Sequence, residues 1–276
     1  MSITLSKEEL RQLQLVELEM LIEFDRICRK HDIKYSLDGG TLLGAVRHNG
    51  FIPWDDDIDV IMLRKEYQKF KKIAKTELDT ERFFLQDYTT DPGYRWGWAK
   101  LRRNGTAFVR EGQERLKQHS GVFIDIMVAD NVPDGFIERR IHHLGCYIVR
   151  KLMYSEVGQY EENNPVIRYI YKCMAKVKRE DIFRMRNHLI RNAGTKRTEL
   201  VSHYTYYYPA NMRYGRWRDC FDEMIDHEFE GRMFPIFKQY DKYLKPGYGD
   251  YMKLPPESER EPHLTLSELK LIEPEL

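Results

Sequence analysis

The chain has 276 residues, enough for one large domain or for a domain with a sizeable appendage. Its 42% hydrophobic and 32% charged residues describe a folded, water-soluble polypeptide without low-complexity segments, and a formal charge of +1 gives no global reason to expect nucleic acid. No apolar run approaches the roughly 20 residues a membrane-spanning helix needs, and Cys28, Cys146, Cys173 and Cys220, with no C-x-x-C pair, argue against a zinc ribbon and against a disulfide framework.

The opening, MSITLSKEELRQLQ, lacks a basic segment followed by an apolar one, so it does not read as an export signal and the expected compartment is the cytoplasm. Ser6 followed by Glu9 has capping-box spacing, and Leu10, Leu13, Leu21, Phe24 and Ile27 recur at helical intervals, which predicts a long helix from about Lys7 to His31. IKYSLDGG then reads as a short strand running into a glycine turn, TLLGAVRHNG as a short helix ended by Gly50, and FIPW as a turn that Pro53 keeps from being helical. DIDVIML alternates and is rich in β-branched residues, a strand, and RKEYQKFKKIAKTEL is an amphipathic helix. RFFLQDY, WGWAKLRRNGTAFV and GVFIDIMVAD are strand-like pieces broken at Gly105 and Gly121. From Gly135 the chain turns helical, basic and aromatic, and beyond about Ser202 it is irregular, with Pro209, Pro235, Pro246, Pro255 and Pro256. This order is an α+β or α/β pattern with a mixed sheet. It divides the chain into a core over residues 1–135 and a helical, irregular, aromatic-rich part over residues 136–276, packed together as one unit.

The chemistry concentrates where Asp55, Asp56, Asp57 and Asp59 follow the proline turn. Their mutual repulsion is costly unless something positive sits among them. On a strand, Asp57 and Asp59 point to one face while Ile58 and Val60 turn to the core. Two carboxylates on one face suit Mg²⁺ or Mn²⁺, hard cations that take oxygen ligands. Asp125, alone inside the apolar VFIDIM strand, is expensive to bury without a partner and is the expected third ligand. An EF-hand competes, because Asp55, Asp57, Asp59 and Glu66 hold its positions 1, 3, 5 and 12. Its glycine position is Val60, however, and its middle would be the buried strand VIML, so that reading fails. Helix capping accounts for one aspartate, not four.

The backbone N–H groups of Gly39, Gly40 and Thr41, next to a helix start, form an anion site. Arg47 is a candidate to grip a phosphate oxygen, with a surface salt bridge equally open from these residues alone. Lys100 in WAKLRR is a second phosphate candidate, against a solvated strand lysine. His263 in REPHLT reads as a loop histidine.

Residues 38–60, DGGTLLGAVRHNGFIPWDDDIDV, resemble the signature of the LicD family of phosphotransferases, part of the nucleotidyltransferase-fold superfamily. The resemblance implies a mixed sheet flanked by helices. Gly39, Gly40 and Thr41 match its glycine turn, Asp57 and Asp59 its D-x-D strand, and Asp125 its third acid, so these three aspartates are the implied catalytic metal ligands. WAKLRRNGT and YDKYL…YGDYMKLPP are similar to further family segments, whereas Gly145 to Tyr208 is less distinctive. Family members resemble enzymes that move phosphocholine from CDP-choline to a sugar hydroxyl of teichoic acid or lipopolysaccharide, with CMP leaving; relatives use CDP-ribitol or CDP-glycerol. Phosphoryl transfer needs positioning and charge neutralisation more than covalent catalysis, and Asp125 is the carboxylate assigned to accept the hydroxyl proton. Two other readings remain: a nucleotidyltransferase using CTP or ATP and releasing pyrophosphate, and a metal- or nucleotide-binding module without turnover. A module of that kind has no need of three intact carboxylates.

Between Ile137 and Arg191 there are twelve Lys/Arg against six Asp/Glu. VIRYIYKCMAKVKRE puts Ile167, Ile170, Tyr171, Met174 and Val177 on one helical side, a pattern that suits an anionic membrane surface and an acceptor built on a lipid carrier. The favoured expectation is nonetheless a surface helix with its apolar side in the core. HHLGC (His142 to Cys146) is expected to be structural. The tyrosines of SHYTYYYP are expected to pack, with stacking on cytosine or a choline cage as the alternative.

Overall fold

The computed structural model describes residues 3–205, 212, 214–261 and 265–276. The expected Tyr206, Tyr207 and Tyr208 cluster and His263 lie outside the described residues.

Helix α1 spans Lys7–Lys30, and its capping box is formed: Glu9 N–H donates to Ser6 Oγ (3.1 Å) while Ser6 N–H donates to Glu9 Oε2 (2.9 Å). Its apolar side, including Leu13, Leu21, Phe24 and Ile27, is fully buried. Strand β1 (Ser36–Leu37) leads into α2 (Gly39–His48). That helix ends on Asn49, which takes the left-handed conformation (φ 52°), rather than on Gly50 as the sequence suggests; asparagine tolerates that conformation well enough to serve. Next come β2 (Asp59–Leu63), α3 (Arg64–Glu77), β3 (Phe83–Gln86), β4 (Ala99–Arg103), β5 (Ala107–Arg110) and β6 (Phe123–Asn131).

The central sheet has the order β1-β2-β6-β4-β3, with β2 and β6 parallel and the other pairs antiparallel. It is the expected mixed sheet flanked by helices, an α+β architecture. One face packs on the layer that includes α1 and α3: Phe24 meets Phe70 at 4.7 Å and Tyr35 at 4.9 Å between ring centres. WGWAKLRRNGTAFV breaks at Gly105 (φ 78°) as expected, into two strands, of which β4 joins the central sheet and β5 leaves it.

Beyond Gly135 run α4 (Phe136–Glu161), α5 (Pro165–Met174) and α6 (Arg179–Asn192). Val149, Leu152, Met153, Ile182 and Phe183 form a small core of their own. His142 is buried as expected of a structural residue, its ring 4.5 Å from that of Tyr204. The remainder is more ordered than its prolines suggest. Strand β7 (Leu200–Ser202) pairs with β6 and with β8 (Arg216–Trp217), β9 (Met224–Phe229) pairs with β10 (Arg232–Phe237), and β11 (Leu266–Lys270) pairs with β5. Helix α7 (Tyr240–Tyr248) follows β10. Phe229, Phe237 and Leu244 join the main core with α1. Among the described residues, no helix is long and apolar enough to cross a membrane.

Helix α5 departs from expectation. Within it only Tyr171 is buried; Val166 is 67% exposed and Ile170 49%. The helix lies on α4 through Tyr171, whose ring meets Tyr154, and most of its apolar side faces outward instead of entering the core.

Candidate active site

Three adjacent strands carry the centre of the site. Asp59 opens β2, Asp125 lies on β6 and Lys100 on β4; Asp59 and Asp125 are register partners, and so are Lys100 and Asp125. The lone acid in the apolar strand therefore has its partners. Asp125 Oδ1 accepts from Lys100 Nζ at 2.5 Å and from Trp98 Nε1 at 2.7 Å, with both charged residues 5% exposed. Burial pulls the Lys100 ammonium down to about 7, against the opposing pull of Asp125. Lys100 is thus brought to the site, but held on Asp125.

Asp57 is not on the strand. β2 begins at Asp59, and Asp57 sits in the segment before it. There Asp55, Asp56 and Asp57 gather so that one carboxylate oxygen from each lies within 4.8 Å of the others. Burial, reinforced by like charges, pushes Asp55 up to about 8; burial pushes Asp57 up to about 6 against the opposing field of Arg110. Asp59 is raised well above the ordinary carboxylate range, by burial first and then by Asp57 and Asp125. Glu17, which α1 presents from beneath at 2% exposure, is raised in the same way. Among the described residues, Asp59 Oδ1 is buried with no hydrogen-bond partner. A buried acceptor left over within a group of crowded carboxylates is the setting a hard divalent cation fits, because it supplies the missing partner and cancels the repulsion.

The glycine turn is built around these acids. Asp38 caps α2 by accepting from the Gly39 amide at 2.8 Å, and it also accepts from the Tyr243 hydroxyl at 2.7 Å. Thr41 is buried, and its Oγ1 accepts from the Asp59 amide at 2.8 Å, which pins the start of β2 to the first turn of α2. A side chain on Gly40 would place its Cβ 2.4 Å from Asp55 Oδ2. Gly39 has φ 53° and its Cβ would lie 3.1 Å from Asp59 Oδ2. Both positions are glycine because carboxylates occupy the space beside them.

These groups open into a cleft of about 1080 Å³. Asp55, Asp57 and Asp59 line one side with Gly39 and Gly40, and residues from Tyr248 to Pro256 line another. Arg47 reaches the cleft with its guanidinium anchored on the Tyr251 carbonyl (2.9 Å). The structure thus gathers Gly39, Gly40, Arg47, Asp57 and Asp59 around the cleft, with Thr41 behind them, and ties Asp125 and Lys100 together one strand away. Asp38, Glu17, Trp98 and Tyr248 are site residues that the sequence reading passed over. The D-G-G-T cap pattern offered a signal for Asp38; the other three depend on tertiary contacts.

Comparison with known proteins bears on this geometry. Residues 32–143 match the family described as "LicD/FKTN/FKRP, nucleotidyltransferase domain". Over 94% of this chain and 97% of the relative, the sequence is 31% identical to the lipopolysaccharide cholinephosphotransferase LicD of Haemophilus influenzae (strain ATCC 51907 / DSM 11121 / KW20 / Rd). The chain belongs to the LicD family of phosphotransferases. A second relative, an uncharacterized protein of Rickettsia prowazekii (strain Madrid E), is 25% identical over 59% of this chain and 58% of its own length. The LicD match over residues 32–143 contains the glycine turn, the aspartate cluster, Lys100 and Asp125, whereas the wall from Tyr248 to Pro256 lies beyond it.

Proposed function

We propose that this chain transfers phosphocholine from CDP-choline to a sugar hydroxyl of lipopolysaccharide, releasing CMP. The observation that carries the reading is the crowded carboxylate group Asp55, Asp56 and Asp57, with Asp55, Asp57 and Asp59 lining a large cleft beside a glycine turn, in a chain similar along nearly its whole length to a lipopolysaccharide cholinephosphotransferase.

In this reading Asp57 and Asp59, with Asp125 on the adjoining strand, hold Mg²⁺ or Mn²⁺. Asp55 and Asp56 complete the negative surroundings that draw the ion in. The bound ion supplies neutralisation of the diphosphate charge. The protein does the rest. The amides of Gly40 and Thr41, at the positive end of α2, and the Arg47 guanidinium orient the diphosphate. The acceptor oxygen attacks the choline-bearing phosphorus, a new P–O bond forms, and the bond to the CMP oxygen breaks. Asp125 takes the hydroxyl proton, while Lys100 and Trp98 fix its orientation through Oδ1.

The same reading places the enzyme at the inner, cytoplasmic face of a membrane, where a lipid-anchored acceptor is made. Its support is the outward row of Ile137 (67% exposed), Ile141 (67%) and Leu144 (58%) on the first half of α4, with Val166 and Ile170 also exposed on α5, in a segment with six excess positive charges. An apolar stripe flanked by cations matches an anionic lipid surface. A second copy seated there would instead bring like charges together.

The test is transfer of choline-labelled phosphate from CDP-choline into lipopolysaccharide by wild type and Asp59→Asn. Label in the glycolipid with wild type alone supports the reading. Equal incorporation by both proteins, or none by wild type, refutes it.

A further inference from the structure

We infer that a second cavity, on the β4 side of Asp125, seats the sugar acceptor and selects a sugar bearing a phosphate or a carboxylate. This rests on the aspartate cleft being the donor site. The cavity encloses about 460 Å³. Its floor is the sheet face where Lys100 and Arg102 of β4 lie beside Asp125 and Phe123 of β6, alternate residues that share one side of the sheet. Its walls include Trp96, Trp98 and Arg110.

The Phe123 ring gathers three cations: Lys100 Nζ at 3.2 Å, Arg102 at 4.7 Å and Arg110 at 5.7 Å from its centre. Lys100 is matched by Asp125. Arg102, 3% exposed, has neutral partners, Gln86 Oε1 at 2.7 Å and the Gly121 carbonyl at 2.5 Å. Arg110 makes no ion pair among the described residues, and its Nε is buried without a hydrogen-bond partner. The carboxylates that line the cavity, Glu114 and Glu268, belong to exposed residues where water screens them. The inner part therefore holds positive charge in excess, with an unsatisfied donor that an anionic oxygen would engage.

The indoles of Trp96 and Trp98 stack at 5.7 Å and present a flat apolar surface suited to the C–H face of a sugar ring. Trp98 and Lys100 both line this cavity and both bond Asp125, so these two side chains link a ligand here to the proposed proton acceptor behind them. A transferase needs both substrates near the reacting group, and by strand order Asp125 on β6 lies between Asp59 of the cleft and Lys100 of this cavity.

Calorimetric titration of the full chain with Mg²⁺ tests this, using glucose 6-phosphate, glucuronate and glucose as probes, with and without saturating CDP-choline. Both anionic sugars are expected to bind about tenfold or more tightly than glucose, as for one charge-assisted hydrogen bond; whichever binds tighter identifies phosphate or carboxylate. Arg110→Gln and, independently, Trp96→Ala are each expected to weaken that binding about tenfold, with circular dichroism confirming the fold. CDP-choline is expected to leave the sugar affinity unchanged or to tighten it. Equal affinity for glucose, failure of both folded variants to weaken binding, or competition between sugar and CDP-choline would overturn the assignment. Failure of the phosphocholine reading would appear separately, as absence of CMP release.

Discussion

Asp59 and Asp125 face each other on parallel neighbouring strands, yet their surroundings are opposite. Asp125 Oδ1 accepts from Lys100 and Trp98, whereas Asp59 Oδ1 is buried and, among the described residues, accepts from nothing. One carboxylate is held by protein donors and the other waits for a partner. Asp59→Asn is therefore expected to cost on the order of 10²–10³ in turnover, comparable to removing one preorganised charge partner. At alkaline pH, where the raised Asp59 carboxyl ionises, it should also raise the melting temperature of the metal-free protein, because a repelling charge is gone. A drop in both activity and melting temperature would make Asp59 a structural residue.

The same repulsion fixes a pH dependence. Asp55 and Asp57 are raised to about 8 and about 6 in the fold, from 3.8. A carboxyl raised on folding favours the native state while protonated, so this stability is present at low pH and is lost as pH climbs. Metal-free protein should lose melting temperature from about pH 4 up to pH 8, and Mg²⁺ should restore it most at the alkaline end. Melting curves in EDTA and in Mg²⁺ across that range are the check; a metal-free melting temperature that rises with pH would contradict the sign.

In the proposed mechanism Trp98 acts through Asp125. Trp98→Phe keeps an aromatic ring and removes the 2.7 Å hydrogen bond. A lost hydrogen bond to a charged group is worth about 1.5–3 kcal/mol, so kcat is expected to fall roughly tenfold or more, with KM for CDP-choline little changed. A change confined to KM would place Trp98 in donor binding instead.

Gly40→Ala puts a methyl group where Asp55 Oδ2 now lies, with 2.4 Å between their centres. The carboxylate must swing away, and the Mg²⁺ concentration for half-maximal activity should rise about 10- to 100-fold, as when a metal site's supporting groups are disturbed. An unchanged Mg²⁺ requirement would mean Asp55 has no part in holding the ion.

Replacing Ile141 and Leu144 by glutamate should abolish sedimentation with vesicles containing anionic lipid while leaving phosphocholine transfer to a water-soluble acceptor intact. Sedimentation by the double variant equal to wild type would remove the membrane contact from the account.

Local signals were readable in the sequence, and long-range ones were not. The Ser6–Glu9 cap and the apolar spacing of α1 act within a few residues, so the helix was legible to within a residue of its end. DIDVIML and VFIDIM were legible as strands, but which residue starts β2 is decided by Thr41 Oγ1 taking the Asp59 amide, a contact across 18 positions. The Lys100–Asp125–Trp98 grouping arises from the β4–β6 register, which no local pattern encodes. Glu17 sits on α1 between the buried Val16 and Leu18, a polar residue within the apolar side whose reason is tertiary. Strands β9 and β10 were hidden by Pro235 and by a turn on Glu230 and Gly231. Proline is tolerated there because the sheet has two strands and hence two edges, and Glu230, at φ 54°, is held by Arg11 and the Phe51 amide. Helix α5 shows the limit of periodicity: it reveals an apolar side, not what covers it.

The measurement that bears most directly on the central claim is product analysis with a panel of donors. Purified protein, Mg²⁺ and lipopolysaccharide would be incubated separately with CDP-choline, CDP-ribitol, CDP-glycerol and CTP, and CMP and pyrophosphate quantified with and without EDTA. The account predicts CMP from CDP-choline, abolished by EDTA, and no pyrophosphate from CTP. Pyrophosphate from CTP, or CMP from another CDP-alcohol but not from CDP-choline, would contradict it.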